Sequence, residues 1–292
     1  MKIGVIGASG FIGKAFCEHA IEKGHEVVGF SRSAKASSGG LTWRHIGDEL
    51  DVSGLDAIVN YAGESVAQRW SEKKKVLFRT SRVNVTEAIV TAVAKLPEES
   101  RPRVLINTSA VGYYGDCDDH ELDEQSAKGE GFLADLCLDW EQAAVAGESL
   151  GLRVVLGRVG LVLGKGGAAW EQMKTAFSLG AGGPLGNGKQ WMPWVEVRDV
   201  AAQTLFCIEQ EISGPVNFVG PNPVKNSAFT KALGRVLQRP AFIPAPEFAL
   251  KMMFGEFGKH LLDSYRVYPK ALEQAGYEFI YPDLEACLKA LK

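Results

Sequence analysis

The sequence predicts an α/β protein with a doubly wound parallel sheet and a smaller, mostly helical C-terminal lobe. In the first half of the chain, apolar runs of four to six residues alternate with helical patterns. This rhythm is typical of parallel strands joined by crossover helices. The first run also ends in a glycine-spaced turn that leads directly into a helical stretch, as in the βαβ unit that binds nucleotides.

The predicted elements follow from these patterns in order. Strands are expected at 3–6, 26–30, 57–61, 104–108, 154–159 and 216–219, with a further short strand at 42–46. Helices are expected at 14–23, 71–95 and 132–149. We expect residues 1–164, with a return segment at 191–220, to form a nucleotide-binding domain. Residues 165–190 and 221–292 are expected to form a cap over the substrate, because glycine-rich loops of the kind found after 164 suit a ligand cleft.

The turn after the first predicted strand reads Gly7-Ala-Ser-Gly10-Phe-Ile-Gly13. In such a turn, Gly7 lets the chain reverse sharply, Gly10 lets the backbone approach a pyrophosphate, and Gly13 lets helix and strand pack closely. The phosphates then lie at the helix N-terminus. A tight turn that binds nothing is the alternative. The strand expected at 26–30 favours a Rossmann-type nucleotide site, because it completes the βαβ unit.

The residues after the second predicted strand indicate which dinucleotide binds. Sites for NAD usually carry an acid here for the ribose 2'-hydroxyl, whereas this chain reads Phe30-Ser31-Arg32-Ser33, with Lys35 just beyond. An arginine and serine hydroxyls bind a phosphate dianion, while an acid would repel it. The sequence therefore predicts NADP(H). The alternative is that Arg32 and Lys35 are solvated loop charges.

Composition argues against several other classes of protein. The net charge of −3 over 292 residues leaves no basic surplus for nucleic acid or an anionic membrane. No apolar run reaches the roughly 18 residues of a membrane span. The five cysteines form no CxxC pair and the five histidines lack metal-ligand spacing, so we expect reduced thiols and no metal site. A first strand that begins at the N-terminus leaves no room for a signal peptide, and we expect a cytoplasmic protein.

These motifs resemble those of the extended branch of the short-chain dehydrogenase/reductase superfamily. The glycine turn matches its cofactor motif, Asn60-Tyr-Ala-Gly63 its fourth-strand motif, and Asn107-Thr-Ser109 followed by Tyr114-Gly115 its catalytic-serine strand. More specifically, the chain is similar to the atypical group known as epimerase family proteins, or nucleoside-diphosphate-sugar epimerases. The supporting segments span nearly the whole chain: 63–70, 81–82, 112–115, 140–141, 182–184, 194–200, 221–224 and 254–256.

The resemblance implies a set of cofactor-binding positions and one departure. Arg82 stands where extended members usually carry an asparagine near the cofactor, so a cation here is expected to reach a cofactor phosphate or a substrate acid. The alternative is a surface helix arginine paired with Glu87 or Glu64. The positions expected to line the NADP(H) site are Gly7, Ser9, Gly10, Phe11, Ile12, Gly13, Ser31, Arg32, Tyr61, Ala62, Gly63, Arg82, Ser109 and Val159.

A second departure concerns the chemistry. The superfamily uses a Tyr-x-x-x-Lys pair on the helix after the serine strand as its acid/base, and this sequence contains no such pair. When Trp140-Glu141 is aligned with the same motif of the family, Leu133 and Cys137 stand at the tyrosine and lysine positions. Neither side chain can replace the tyrosine as an acid/base. Ser109 and Tyr114 are the catalytic candidates. Three alternatives stay open at this stage: Tyr113, Glu64 and Glu196.

The sequence thus predicts an NADP(H)-binding oxidoreductase or epimerase that acts on a small molecule. A homodimer is possible, and no nucleic acid or membrane is expected as a partner. The competing hypothesis is a non-catalytic NADPH sensor in which cofactor occupancy sets the position of the C-terminal cap. The two hypotheses differ in turnover, because a sensor binds both redox forms of the cofactor unequally and converts neither.

Overall fold

The structure, a computed structural model, describes residues 1–33, 35–47 and 49–292. Its strands are β1 (Lys2–Ile6), β2 (Glu26–Ser31), β3 (Leu41–His45), β4 (Ala57–Asn60), β5 (Val104–Ala110), β6 (Glu121–Leu122), β7 (Arg153–Val159), β8 (Leu161–Leu163), β9 (Trp191–Met192), β10 (Trp194–Glu196), β11 (Gly214–Phe218), β12 (Val224–Lys225) and β13 (Arg266–Val267). Its helices are α1 (Phe11–Glu22), α2 (Glu72–Thr80), α3 (Val83–Ala94), α4 (Phe132–Val145), α5 (Ala168–Ser178), α6 (Val197–Glu209), α7 (Asn226–Leu237), α8 (Glu247–Phe254), α9 (Phe257–His260), α10 (Lys270–Gln274) and α11 (Leu284–Leu291).

Within these residues, seven strands form a central sheet in the order β11-β7-β5-β4-β1-β2-β3. All neighbouring strands in it pair in parallel. The strand order reverses direction between β1 and β4, and ligands of open α/β sheets bind outside the carboxyl ends at such a switch point. Together with the helices α7 to α11, this confirms the predicted doubly wound sheet with a smaller, mostly helical C-terminal lobe.

The central strands are buried along their whole length because helices cover both faces of the sheet. On one face, Phe16 of α1 and Leu205 of α6 join β1 and β7 in a single apolar cluster. On the other face, Ile89 of α3 and Ala144 of α4 pack against β4 and β5. Strands covered on both sides become continuous apolar runs instead of alternating patterns, which is why the sequence showed them so clearly.

The helix predicted at 71–95 is wrong in one respect: it is two helices, α2 and α3, with a break at Ser81 and Arg82. Ser81 accepts a hydrogen bond from the backbone N–H of Glu64 (3.0 Å) and donates one to the carbonyl of Phe78 (3.1 Å). These bonds tie the helix end to the loop after β4. The break therefore results from a tertiary contact that helix periodicity does not show.

Among the residues that the structure describes, no helix has the length and apolar character needed to span a membrane. No group of three or more histidine, cysteine, aspartate or glutamate side chains there is placed to hold a metal ion.

Candidate functional site

The loops that carry the predicted site residues lie side by side at the carboxyl edge of the sheet. In the strand register, Ile6 pairs with both Phe30 and Asn60, and Asn60 pairs with Asn107. The segments that follow β1, β2 and β4 therefore begin within one residue of the same level, whereas β5 runs three residues further, to Ala110. Val159, the last residue of β7, is buried and pairs with Ala110 at the end of β5.

The glycine turn after β1 has the geometry expected of a phosphate cradle. Gly7 has a φ of +82°, and a Cβ there would lie 2.9 Å from the carbonyl oxygen of Tyr61. A Cβ on Gly13 would lie 2.2 Å from the carbonyl oxygen of Gly7. Gly10 precedes α1 without a side-chain cap, and the first turn of α1 carries no acid. The N-terminal N–H groups of α1 are thus available to an anion, as a pyrophosphate requires.

The end of β2 fits a phosphate dianion. Arg32 is exposed and forms no ion pair with any described residue. Beside it, the backbone N–H of Ser33 donates to Ser31 Oγ (3.2 Å), and the two serine hydroxyls lie 3.3 Å apart. Lys35 is placed differently, with its ammonium 4.4 Å from the centre of the Trp43 ring. Arg32 and the serines are therefore the groups here that suit a 2'-phosphate.

The loop after β4 presents backbone to the glycine turn. Asn60 holds it, because its side-chain amide donates to Asn107 Oδ1 (2.7 Å) while its oxygen accepts from the N–H of Ala62 (3.0 Å). The Tyr61 side chain turns into the core, where its hydroxyl lies 2.6 Å from Thr204 Oγ1 and burial raises its pKa. Tyr61, Ala62 and Gly63 can therefore contact a cofactor through backbone atoms.

Arg82 lies at the break between α2 and α3, beside this loop. Its guanidinium lies 5.1 Å from the Trp140 ring centre, and a Cβ on Gly63 would lie 3.0 Å from Arg82 Cζ. It donates to the carbonyl of Phe78 (3.2 Å) and pairs with no carboxylate among the described residues, Glu64 and Glu87 included. Burial lowers its pKa. Arg82 is thus a partly buried cation with no acidic partner among the described residues, and it could accept an anion beside the loop after β4.

Ser109 belongs to a closed polar network. Its hydroxyl is 3% exposed and donates to Glu141 Oε1 (2.7 Å) on α4. The Glu141 carboxylate also accepts from Arg158 Nε and Nη2 of β7, each at 2.9 Å. Burial alone would lower the pKa of Arg158, but the hydrogen bonds that it donates to Glu141 and Tyr114 raise it. The network therefore holds the serine with its proton directed at a carboxylate.

Tyr114 lies at the other side of Arg158. Its hydroxyl donates to Asn217 Oδ1 (2.7 Å) and accepts from Arg158 Nη1 (3.0 Å), and the side chain is fully buried. Burial raises the pKa of Tyr114 to about 12. The neighbouring Tyr113 ring stacks under the Arg158 guanidinium at 3.5 Å. The predicted catalytic role of Tyr114 stays a prediction, and the contacts of its hydroxyl favour a role in positioning Arg158.

Leu133 and Cys137 both face the segment after β5. A Cβ on Gly112 would lie 3.3 Å from Leu133 Cβ and 3.9 Å from Cys137 Sγ. Burial raises the pKa of Cys137 to about 11, so its thiol is protonated near neutrality. Neither side chain exchanges a proton readily at that pH, which leaves the start of α4 without an acid/base.

The two glutamates considered from sequence are placed differently. Glu196 precedes α6, where its side chain accepts from the backbone N–H of Arg198 (2.7 Å), and burial raises its pKa. Glu196 therefore caps the N-terminus of α6. Glu64 lies 3.9 Å from Lys74 Nζ and accepts from Gln68 Nε2 (3.2 Å).

Sequence reasoning missed two groups of polar residues. Glu141 appeared only within a family motif and Arg158 only within the predicted strand 154–159, and nothing local marks them as partners. His260 and Asp263, whose Nδ1 and Oδ2 lie 2.6 Å apart, are three residues apart in the sequence. This spacing was the available signal for the pair, because side chains three apart lie on the same face of a helical turn.

Comparisons with known proteins agree with this geometry. Residues 3–219 match the NAD dependent epimerase/dehydratase family, and residues 245–291 match a domain of unknown function, DUF1731. Epimerase family protein Mb2239 of Mycobacterium bovis is 41% identical over 283 residues, which cover 95% of this chain and 93% of that protein.

Two solved structures are also similar along the whole chain. Human epimerase family protein SDR39U1 (isoform 2), crystallised with NADPH, has a TM-score of 0.89 at 32% identity and covers 100% of this chain and 99% of its own. A nucleoside-diphosphate sugar epimerase from Corynebacterium glutamicum has a TM-score of 0.78 at 31% identity, over 100% of this chain and 58% of its own. The sequence motifs, the sheet topology and these matches together establish that the chain belongs to the NAD dependent epimerase/dehydratase family, among the SDR39U1-like epimerase family proteins.

Proposed function

We propose that this protein binds NADP(H) across the carboxyl edge of its sheet and transfers hydride to or from a small molecule. The observation that carries the cofactor assignment is the uncapped N-terminus of α1 beside a β2 end that holds Arg32 and no acid. The similar human protein SDR39U1 was crystallised with NADPH, which supports the same choice of cofactor. When bound, the nicotinamide supplies the hydride.

Each group of predicted residues is proposed to bind a different part of the cofactor. Gly7, Gly10 and Gly13 cradle the pyrophosphate, and Arg32 with Ser31 holds the 2'-phosphate. The loop of Tyr61 to Gly63 lies against the adenosine half through its backbone. Of the other predicted positions, Ser9 belongs to the same turn, and Phe11 and Ile12 are the first two residues of α1. Ser109 and Val159, at the ends of β5 and β7, are placed for the nicotinamide half.

The substrate is proposed to lie between this edge and a cap formed by residues 165–190 and 221–292. The reaction class follows from family membership: reduction, oxidation or epimerisation at a carbinol or carbonyl carbon. A cytoplasmic location and a homodimer are part of the same proposal.

A second candidate function is an NADPH sensor without turnover. It is favoured by one observation: the hydroxyl protons of Ser109 and Tyr114 are both committed to internal acceptors, Glu141 and Asn217. Cofactor occupancy would then act on the position of the cap. The experiment that separates the two functions is calorimetric titration with NADPH, NADP+, NADH and NAD+, followed by absorbance of the reduced nicotinamide with a panel of carbonyl metabolites. Loss of absorbance with one metabolite supports the enzyme, and phosphate-selective binding with no turnover supports the sensor.

Replacing Arg32 with alanine is expected to weaken NADPH binding by about tenfold or more and to leave NADH binding nearly unchanged. A hydrogen bond to a charged group contributes about 1.5–3 kcal/mol, and only NADPH carries the 2'-phosphate that receives it. Lys35→Ala serves as the control, because Lys35 lies over Trp43. Equal affinity of wild type and Arg32→Ala for NADPH would contradict the assignment.

Arg82, beside Gly63, is proposed to contact the cofactor pyrophosphate in addition to the glycine turn. Replacing Arg82 with glutamine is therefore expected to weaken the binding of NADPH and of NADH by a similar factor, about tenfold, since both nucleotides carry the pyrophosphate. The same change should leave the melting temperature unchanged or raise it, because it removes a partly buried charge that has no acidic partner among the described residues. Titration calorimetry and thermal unfolding measure the two effects. Unchanged affinity for both nucleotides would rule out the pyrophosphate contact.

A further inference from the structure

The C-terminal lobe carries a hydrogen-bonded group of three titratable side chains that the proposed function does not use. His260 Nδ1 lies 2.6 Å from Asp263 Oδ2, and the Tyr265 hydroxyl donates to the same oxygen at 3.2 Å. Because a carboxylate only accepts hydrogen bonds, His260 Nδ1 must carry a hydrogen. Nε2 is then the nitrogen that can take up or release a proton. No described residue is hydrogen-bonded to Nε2.

The imidazole is held in one orientation and still reaches solvent. Its ring stacks on Trp70, with ring centres 5.1 Å apart and planes at 29°. The His260 side chain is 18% exposed and that of Asp263 is 10% exposed. The Asp263 carboxylate fixes the tautomer of the imidazole, and the stacked Trp70 ring fixes its plane. A general acid/base histidine needs both constraints.

The backbone that carries this group is anchored to the Rossmann domain. The N–H of Ser264 donates to Asp116 Oδ1 (2.9 Å), and the Ser264 carbonyl accepts from the N–H of Cys117 (3.1 Å). The N–H of Trp191 donates to Ser264 Oγ (3.0 Å). Asp263 and Tyr265 flank this serine, so hydrogen bonds on both sides of it fix their positions relative to the loop after β5.

The group lies against the part of the site that lacks an acid/base. Trp70 stacks His260 and also contacts Phe132, at 5.2 Å between ring centres, at the start of α4. Leu133 packs against the same cluster as Trp70. On the other side, Tyr265 packs against the cluster that contains Tyr114, in the segment after β5. His260 thus lies beside the start of α4, and Tyr265 lies beside the segment after β5.

We propose that His260, oriented by Asp263, is the general acid/base for hydride transfer in this protein, and that Tyr265 completes its hydrogen-bonded group. This proposal rests on the proposed oxidoreductase function. In the reducing direction, hydride from NADPH adds to the carbonyl carbon, and the carbonyl oxygen takes the proton from Nε2 of the imidazolium. The products are the alcohol, NADP+ and neutral His260, which regains a proton from water. Oxidation is the reverse.

The first test compares His260→Asn with His25→Asn. Asparagine keeps a donor toward Asp263 but exchanges no proton near neutrality. Reduction of the first aldehyde or ketone in the panel that wild type converts should fall by about a hundredfold or more, with NADPH affinity and melting temperature unchanged. His25 is the matched control, because it pairs with Glu209 (3.2 Å) at the amino-terminal edge of the sheet. Full activity of His260→Asn with its pH profile unchanged would overturn the proposal.

The second test needs no substrate and separates this inference from the proposed function. Histidine-selective 15N NMR of the full chain, which has five histidines, should show His260 as the Nδ1–H tautomer when neutral. Asp263→Asn should remove that preference, and saturating NADPH should shift the His260 signals but not those of His25. If no carbonyl compound is reduced, the oxidoreductase function fails whatever the spectra show. If His260 does not respond to NADPH or lacks the expected tautomer, the acid/base assignment fails even when reduction is observed.

Discussion

Replacing Glu141 with alanine is expected to lower the free energy of unfolding by about 3–5 kcal/mol. This is the cost of removing one partner of a buried ion pair and leaving the other charge buried. Glu141 accepts from Ser109 and twice from Arg158, and the two charged side chains are 7% and 3% exposed. Without the carboxylate, the Arg158 guanidinium stays buried with only the Tyr114 hydroxyl and the Tyr113 ring beside it. Urea unfolding of the two proteins measures the difference.

The matched control is Glu285→Ala, which removes an exposed glutamate that contacts Arg235 and Lys289. Such surface pairs contribute about 0–1 kcal/mol. A second comparison uses Glu141→Ala combined with Arg158→Met, in which the orphaned charge is also removed. The double variant should recover part of the loss, because most of the cost is the unpaired cation. A stability loss in Glu141→Ala as small as that in the control would contradict our account of the network.

Replacing Gly13 with valine is expected to reduce NADPH affinity by about a hundredfold or more, which is close to 3 kcal/mol. A Cβ at this position would lie 2.2 Å from the Gly7 carbonyl oxygen and 2.8 Å from the Gly7 carbonyl carbon. Both are backbone atoms, so relief of the clash requires that α1 moves away from the turn. The N–H groups that face the pyrophosphate then leave their positions. Titration calorimetry with NADPH tests this expectation.

Gly47→Val is the matched control for this variant. Among the described residues, no atom lies within 4 Å of the place that a Cβ on Gly47 would occupy, and the φ of Gly47 is not left-handed. The same substitution therefore meets neither a clash nor backbone strain there, and its NADPH affinity should equal that of the wild type. Thermal unfolding of Gly13→Val distinguishes loss of the site from loss of the fold. Wild-type affinity in a folded Gly13→Val protein would show that the turn does not form the cradle.

The residues proposed for the cofactor edge could be predicted from sequence because they are local to single turns. The glycines at 7, 10 and 13, and the Ser31 and Arg32 pair at the end of β2, each belong to a segment that a strand leads into directly. Arg82 was predicted as a site residue, but its position at a helix break was not. The break depends on a hydrogen bond between Ser81 and the N–H of Glu64, 17 residues apart, and no helix pattern records such a bond.

The amino-acid sequence by itself determined the parallel sheet, the nucleotide turn and the absence of a Tyr-x-x-x-Lys pair, because these depend on residues that are neighbours in the chain. Only the tertiary structure decided which polar side chains meet. Ser109 joins Glu141 from 32 residues away, and Trp70 stacks on His260 from across the chain. A hydrogen bond or a stacked ring acts over a few ångströms, so packing of the distant segments decides these partners.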